Sequence, residues 1–212
     1  MRNLYRVCKT RIPLGTHFSC ILLYMQYTDT IGHLVSYAWI IFMLVWLVSA
    51  FTAKRNVKVN NRWYLYRIFS GVVLVLLLRF FGLKSSFFLY YIHSAPVRII
   101  GAVLVFLGIA VAFWARYHLG RNWGMPLSEK EGAELVTTGP YAYIRNPIYA
   151  GVLLALIGSI LVYGVLWLIV LVLYGGYFFY SVFGEEKIMM RLFPEQYPPY
   201  KARTKRVIPW VW

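Results

Sequence analysis

The chain has 212 residues, of which 60% are hydrophobic and only 14% are charged, whereas a soluble globular domain has about 45–50% apolar and about 25% charged residues. This composition excludes a soluble domain and a disordered chain, and it indicates an integral membrane protein. Lys and Arg number 22 against 7 Asp and Glu, which gives a net charge of +15. Basic residues beside apolar segments typically meet anionic lipid head groups, so the bilayer is the predicted partner and nucleic acid is not.

Five segments approach the length of about 20 mostly apolar residues that a transmembrane helix needs. A shorter apolar stretch, 14–27, contains several polar residues and predicts an interfacial or re-entrant piece, with a sixth crossing as the alternative. No repeat or linker divides the sequence, so we predict a single membrane domain over 1–212 with an all-α, multi-pass helical bundle. The predicted spans are 34–51, 66–83, 97–116, 147–163 and 165–183.

The fourth predicted span carries small residues at every fourth position, namely Gly151, Ala155 and Ser159. Small side chains on one helix face let the backbone of a neighbouring helix come close. The spacing therefore predicts a tight helix–helix contact along this face.

The distribution of basic residues sets the orientation, because cytoplasmic loops carry an excess of Lys and Arg. The loop after the first span contains several basic residues and no acid, so we predict that it is cytoplasmic, together with 117–146 and the tail 184–212. The basic residues before 14–27 disagree with this orientation if there are five spans. A short chain without a eukaryotic retention signal indicates a bacterial inner membrane. The loop residues that decide the orientation are Lys54, Arg55, Lys58, Arg62 and Arg67.

Apart from Asp29, every carboxylate lies in 129–134 or in 185–195. Both segments are assigned to the cytoplasmic side, so any charge-based chemistry is predicted there, in a pocket at the last two helices. Only Tyr163 and Gly164 separate the last two spans, which predicts an antiparallel hairpin. At 1.5 Å per residue, Asn146 lies about 26 Å and Glu185 about 32 Å from the hairpin turn, so the two side chains should meet at nearly the same depth.

Asn146 and Pro147 have the residue types preferred at the N-cap and at the first position of a helix. A helix N-terminus suits an anionic ligand group, although an ordinary cap that binds nothing is the alternative. The run 135–141 just upstream predicts an extended segment across the mouth of the hairpin. Glu185 is then expected to bind hydroxyls or an amine of a polar cofactor, unless it is simply a solvated charge.

Other kinds of site have no support in the sequence. Four histidines lie in four different segments and the two cysteines, Cys8 and Cys20, lack metal-ligand spacing, so no metal is predicted. Phosphate-cradling glycine loops and the patterns of serine or cysteine nucleophiles are also missing.

A set of motifs in the second half of the chain resembles the integral membrane methyltransferases of the isoprenylcysteine carboxyl methyltransferase and phospholipid N-methyltransferase superfamily. The resemblance covers about 116–212, which it marks as the methyltransferase-like core, and residues 1–115 are similar only as generic spans. The motifs are 119–123, 135–141, 145–151 and 185–186, followed by Phe193 and Tyr197.

The resemblance implies a multi-pass transferase that binds S-adenosylmethionine at the cytoplasmic end of the last two spans and methylates a lipophilic acceptor. The acceptor would be an isoprenylcysteine carboxylate, a phospholipid amine or a similar lipid. Glu186 is the implied base where the acceptor must lose a proton, and Ser181 occupies the implied acceptor-contact position. Carried over by position, the cofactor contacts are Glu134, Leu135, Val136, Tyr141, Asn146, Pro147, Ile148, Tyr149 and Glu185.

The chain departs from the family pattern at two positions. Most members have His where this chain has Asn146, and asparagine cannot carry a proton. The carboxyl methyltransferases have Arg where this chain has Ser181, which weakens the case for a prenylcysteine acid as acceptor.

In-line methyl transfer from a sulfonium needs no metal and no covalent intermediate, so positioning and exclusion of water can supply most of the acceleration. Two alternatives stay open at this point. One is an NADPH-dependent membrane sterol or lipid reductase with a related C-terminal pattern, and the other is an inactive lipid-binding or structural homologue.

Overall fold

The computed structural model of the protein describes residues 14–52, 56–58, 94–123 and 129–208. The prediction of an all-α bundle is confirmed, because helices dominate these residues and the strands are a pair of very short segments. Short 3-10 turns cover Gly120–Asn122 and Gly139–Ala142. The helices are α1 Leu14–Thr52, α2 Ala95–Leu119, α3 Pro147–Tyr163, α4 Leu166–Leu192 and α5 Tyr197–Arg203, and the strands are β1 Asn56–Lys58 and β2 Glu129–Lys130.

Three helical segments of the described residues are long and apolar enough to cross a membrane, and α3 is apolar but shorter. Large hydrophobic side chains on the outside of the bundle, such as Val48 and Val172, are each 64% exposed. Such an apolar exterior suits contact with lipid, so the prediction of a multi-pass membrane protein is confirmed. The second predicted span, 66–83, lies outside the described residues. The three segments are Thr30–Ser49, Ala95–Asn122 and Trp167–Leu192.

The stretch 14–27 belongs to α1, which continues through it without a break to Thr52. The re-entrant part of the prediction is therefore wrong, while the interfacial position and the sixth crossing stay predictions. With 39 residues, α1 is about 58 Å long, which exceeds the hydrocarbon core of about 30 Å.

Helices α2 and α3 touch backbone to backbone at two glycine pairs. A methyl group at Gly108 would lie 2.4 Å from the carbonyl oxygen of Gly151, and one at Gly101 would lie 2.7 Å from that of Gly158. These separations are too short for any side chain, so glycine is required on both helices. The predicted tight contact of the fourth span is confirmed.

Helix α1 packs against this pair through a buried apolar cluster and through polar bonds. Ser159 donates its hydroxyl to the carbonyl oxygen of Ala155 in its own helix at 2.9 Å and accepts the indole N–H of Trp39 at 3.0 Å. Nearby, Tyr163 donates to the carbonyl oxygen of Gly32 at 2.7 Å. The cluster contains Ile31, Val35, Ala38, Phe42, Val105, Ile109, Ala112, Ala155 and Val162.

Replacing Ser159 with alanine is expected to lower the free energy of unfolding by about 1 kcal/mol. The substitution leaves the indole N–H of Trp39 without its acceptor in an apolar setting. Equilibrium unfolding of the purified protein in detergent measures the change, and an unaltered stability would show that the bond contributes nothing.

The segments that follow α1 and α2 lie at one end of the bundle. Strands β1 and β2 pair there in antiparallel fashion, with Asn56 opposite Lys130, and the guanidinium of Arg116 near the end of α2 donates to the carbonyl oxygen of Ser49 at 3.5 Å. Helix α3 begins at this end, which we call the site end. Residues 56–58, the described part of the loop after the first span, therefore lie on the same side as residues 129–130.

Candidate functional site

Helices α3 and α4 form the predicted antiparallel hairpin, joined only by Gly164 and Val165. Gly164 adopts φ 103°, a conformation that suits glycine. Helix α4 is the longer of the two, and its last turns lie beside the start of α3. Arg145 and Glu186 are joined there by an ion pair of 2.8 Å, so residues 145–149 and 185–186 meet at the site end.

Glu185 on α4 and Tyr149 on α3 are joined by a hydrogen bond at the site end. The Tyr149 hydroxyl donates to Oε1 of Glu185 at 2.5 Å, and the Tyr149 ring stacks on Phe178 with ring centroids 4.3 Å apart. Tyr149 is only 8% exposed, whereas Glu185 is half-buried. The stacked ring therefore holds the carboxylate of Glu185 in a fixed position beside the start of α3.

Asn146 is the N-cap of α3 and Pro147 is its first residue, as predicted, but the Asn146 side chain makes no capping bond. Its amide instead donates to the carbonyl oxygen of Arg206 at 3.0 Å. Pro147 is almost completely buried, which leaves its side chain no room to touch a ligand. Its function is to start the helix, and the predicted cofactor contact of this side chain has no support.

The segment before α3 brings three further predicted residues to the site end. Glu134 is exposed and exchanges hydrogen bonds of 3.3 and 3.4 Å with Asn122. Leu135 and Val136 follow in a half-buried stretch outside any helix or strand. Gly139 then turns the chain with φ 59°, and a methyl group there would lie 2.5 Å from the His118 ring.

Tyr141 is buried in the turn after this segment, and its carbonyl oxygen accepts the Tyr200 hydroxyl at 2.8 Å. Burial raises the pKa of the Tyr141 hydroxyl, and the nearby charge of Glu185 raises it further, against the opposing effect of Arg116. Tyr141 therefore stays neutral, and its contact with the cofactor stays a prediction.

Glu186 lies among three cations rather than facing an open cleft. Its carboxylate is 8% exposed and is contacted by Arg145 at 2.8 Å, by Arg206 at 2.9 Å and by Lys201 at 3.0 Å. Three positive partners stabilise the ionised carboxylate and occupy both of its oxygens. The predicted use of Glu186 as a base is therefore not supported.

The three cationic partners were not among the predicted site residues. The hydrogen bond to Glu186 raises the pKa of Arg206, so the guanidinium stays charged at any physiological pH. In the sequence, Lys201 and Arg206 look like any other basic residues of the tail. Their contact with the buried carboxylate of Glu186 distinguishes them, and the sequence does not reveal that this carboxylate is buried.

Ser181 is fully buried on α4, one turn before Glu185. Its hydroxyl has no hydrogen-bond partner among the described residues. A buried hydroxyl without a partner is unfavourable, and a polar group of a ligand would relieve that cost. Contact with the acceptor stays a prediction for this residue.

Replacing Tyr200 with phenylalanine should lower the free energy of unfolding by about 1 kcal/mol. Burial raises the pKa of Tyr200 from 10.0 to about 12, although Arg145 and Arg203 oppose the shift. The folded state thus favours the neutral hydroxyl. Its contribution to the free energy of unfolding is complete below pH 10 and is lost as the pH rises toward 12. Unfolding of both proteins between pH 8 and pH 12 should show their difference shrinking, whereas a constant difference would contradict the assignment.

Comparisons with known proteins agree with this architecture. Residues 97–196 match the family described as phospholipid methyltransferase. Among curated proteins, no sequence matches the chain. The fold is similar to that of a eukaryotic intramembrane Ras methyltransferase, an isoprenylcysteine carboxyl methyltransferase, which was solved without a monobody. The TM-score is 0.51, and the two sequences are 21% identical over 73% of this chain.

The match covers 55% of that structure, so the present chain spans about half its length, and at this identity the likeness concerns the fold. The family match contains α2 from its third residue onward, all of α3 and α4, and every predicted site residue from Glu134 to Glu186. The resemblance predicted from the sequence is thereby confirmed: residues 97–196 are similar to the phospholipid methyltransferase family, and the fold is similar to that of an isoprenylcysteine carboxyl methyltransferase.

Proposed function

We propose that the protein transfers a methyl group from S-adenosylmethionine to a lipophilic acceptor at the site end of the bundle. The observation that carries the proposal is the Tyr149–Glu185 bond, which joins the start of α3 to the end of α4 within the family-matched range. The N-terminus of α3 and the carboxylate of Glu185 then lie side by side, and they offer a positive and a negative electrostatic environment to one ligand.

The residues at the site end fit the polar groups of this cofactor. The start of α3 carries a partial positive charge, which suits the cofactor carboxylate. Pro147 has no backbone N–H and that of Asn146 is bonded to the carbonyl oxygen of Arg206, so in this proposal a backbone N–H contact comes from Ile148 onward. Glu185 suits its amine or its ribose hydroxyls. Ile148, Tyr141 and residues 134–136 supply the remaining contacts in this proposal.

The cofactor supplies a methyl group on a positively charged sulfur, and the chain contributes position and exclusion of water. Tyr141, Tyr197 and Tyr200 are buried at this end and limit the access of water. Since Glu186 is held by three cations, the proposed reaction uses no base from this residue. Alignment of donor and acceptor then provides most of the rate acceleration.

The acceptor in this proposal is a membrane lipid, either an isoprenylcysteine carboxylate, a phospholipid amine or a similar compound, that arrives from the bilayer. Ser181, buried one turn before Glu185, offers it a hydroxyl and no positive charge. The basic residues after the first span assign the site end to the cytoplasmic face, and a bacterial inner membrane is the proposed location. The whole chain, 1–212, acts as one domain.

Calorimetric titration of the purified protein in detergent tests the proposal with S-adenosylmethionine and with NADPH as separate ligands. We expect saturable, micromolar binding of S-adenosylmethionine and none of NADPH. Binding of NADPH alone would support a membrane reductase instead, and binding of neither ligand would support an inactive homologue.

A further inference from the structure

The chain after α5 returns to the start of α3 and pairs with it. In residues 204–207, which we call the strap, the carbonyl oxygen of Lys205 accepts the backbone N–H of Arg145 at 2.7 Å, and that of Arg206 accepts the N–H of Asn146 at 2.9 Å. The N–H of Lys205 in turn donates to the carbonyl oxygen of Tyr143 at 3.2 Å. The strap therefore lies along residues 143–146, which lead into the start of α3, where the cofactor is proposed to bind.

The strap also contacts the hairpin through its last residue. Val207 is 5% exposed and belongs to the apolar cluster that contains Tyr149, Phe178 and Val182. This cluster supports the ring whose hydroxyl holds Glu185. Displacement of the strap would thus remove backbone partners from Asn146 and a packing partner from the cluster around Tyr149.

One carboxylate fastens the strap to the rest of the site end. Glu186, on α4, contacts Arg145 before α3, Lys201 on α5 and Arg206 in the strap. Arg145 extends the connection, because its guanidinium also donates to the carbonyl oxygens of Lys201, at 3.1 Å, and of Thr204. Four separate segments of the chain meet at Glu186.

We propose that Glu186 is a positioning residue that seats the strap across the start of α3 and thereby fixes Asn146 and Tyr149 for cofactor binding. The proposal rests on the proposed function only for the identity of the ligand. Its physical basis is charge balance. Without the carboxylate, three cations converge with no anion between them. The Arg145 side chain is only 8% exposed, so it would lose its anionic partner while buried, which is unfavourable.

The test is Glu186→Gln in the full-length protein, with two readouts. The first is trypsin cleavage within the strap at Lys205 and Arg206, which does not depend on any ligand. The second is the affinity for S-adenosylmethionine together with the pH profile of kcat for methyl transfer. We expect cleavage at least about tenfold faster and affinity about tenfold to a hundredfold weaker, with kcat less affected than KM and with an unchanged shape of the pH profile.

Glu195→Gln is the matched control, because Glu195 is an exposed carboxylate in the connection between α4 and α5; it should change neither readout. Removing one of the excess cations in the double variant Glu186→Gln, Arg206→Gln should partly restore resistance to cleavage at Lys205, the strap site that this variant keeps and at which it is compared with the others. If Glu186→Gln does not fold, Arg206→Gln alone should accelerate cleavage at Lys205, the strap site it keeps, and weaken binding to a smaller degree.

Unchanged cleavage and unchanged affinity in Glu186→Gln, or in Arg206→Gln where the first does not fold, would overturn the proposal. So would loss of kcat and of its acidic limb with an unchanged affinity, which is the signature of a base. Failure of the wild-type protein to bind S-adenosylmethionine would refute the proposed function, while the cleavage readout would still decide the role of Glu186 in seating the strap.

Discussion

Alanine at position 185 should weaken the binding of S-adenosylmethionine by more than about tenfold, which corresponds to about 1.4 kcal/mol. The Glu185 carboxylate is held by Tyr149 at 2.5 Å, so it is already oriented before a ligand arrives. A hydrogen bond to a charged group contributes about 1.5–3 kcal/mol. Titration calorimetry on the detergent-solubilised protein measures the change directly.

Three matched variants separate the charge of Glu185 from its packing. Glu185→Gln keeps the shape and can still accept the Tyr149 hydroxyl; it should lose nearly as much affinity as alanine if the ligand group is an amine, and less if it is a hydroxyl. Tyr149→Phe removes the hydrogen bond between Tyr149 and Glu185 but keeps the carboxylate of Glu185, so it should weaken binding less than Glu185→Ala does. Glu195→Ala should have no effect. Equal affinities for wild type and Glu185→Ala would refute the assignment of Glu185.

The hairpin and its contact with α2 were predictable because the information is local. Only Tyr163 and Gly164 interrupt a long apolar run, and a turn that short allows one geometry for two helices. The repeat of Gly151, Ala155 and Ser159 follows the helical period, so it marks one face without any knowledge of the partner. Asn146 and Pro147 likewise define the first residue of α3 from their own conformational preferences.

The contacts of Glu186 and the strap were not predictable because they join distant residues whose sequence pattern has another explanation. Lys201 and Arg206 fit the excess of positive charge expected on a cytoplasmic face. Two adjacent acids at a helix end are usually solvated, and nothing in the sequence tells Glu186 from Glu185. Asn146 shows the same limit, since its residue type predicted a cap while its amide binds the strap.

Replacing Gly108 with alanine should lower the free energy of unfolding by about 1–3 kcal/mol, and replacing it with leucine should prevent folding. A methyl group at Gly108 would lie 2.4 Å from the carbonyl oxygen of Gly151 and 2.6 Å from the backbone nitrogen of Ala155. Both obstacles are backbone atoms, which no change of rotamer can move. Helices α2 and α3 must therefore separate along their contact.

Gly176→Ala is the matched control, because Gly176 is also a helical glycine but a methyl group there meets no described atom within 4 Å. Alanine favours the helix over glycine by about 0.5–1 kcal/mol, so this variant should be as stable as wild type or more so. Thermal unfolding and size-exclusion chromatography in detergent compare the variants. A Gly108→Ala protein as stable as Gly176→Ala would mean that α2 and α3 are not in backbone contact.

Since α3 carries Asn146 and Tyr149 at its start, a shift of α3 should also weaken ligand binding in any Gly108→Ala protein that folds.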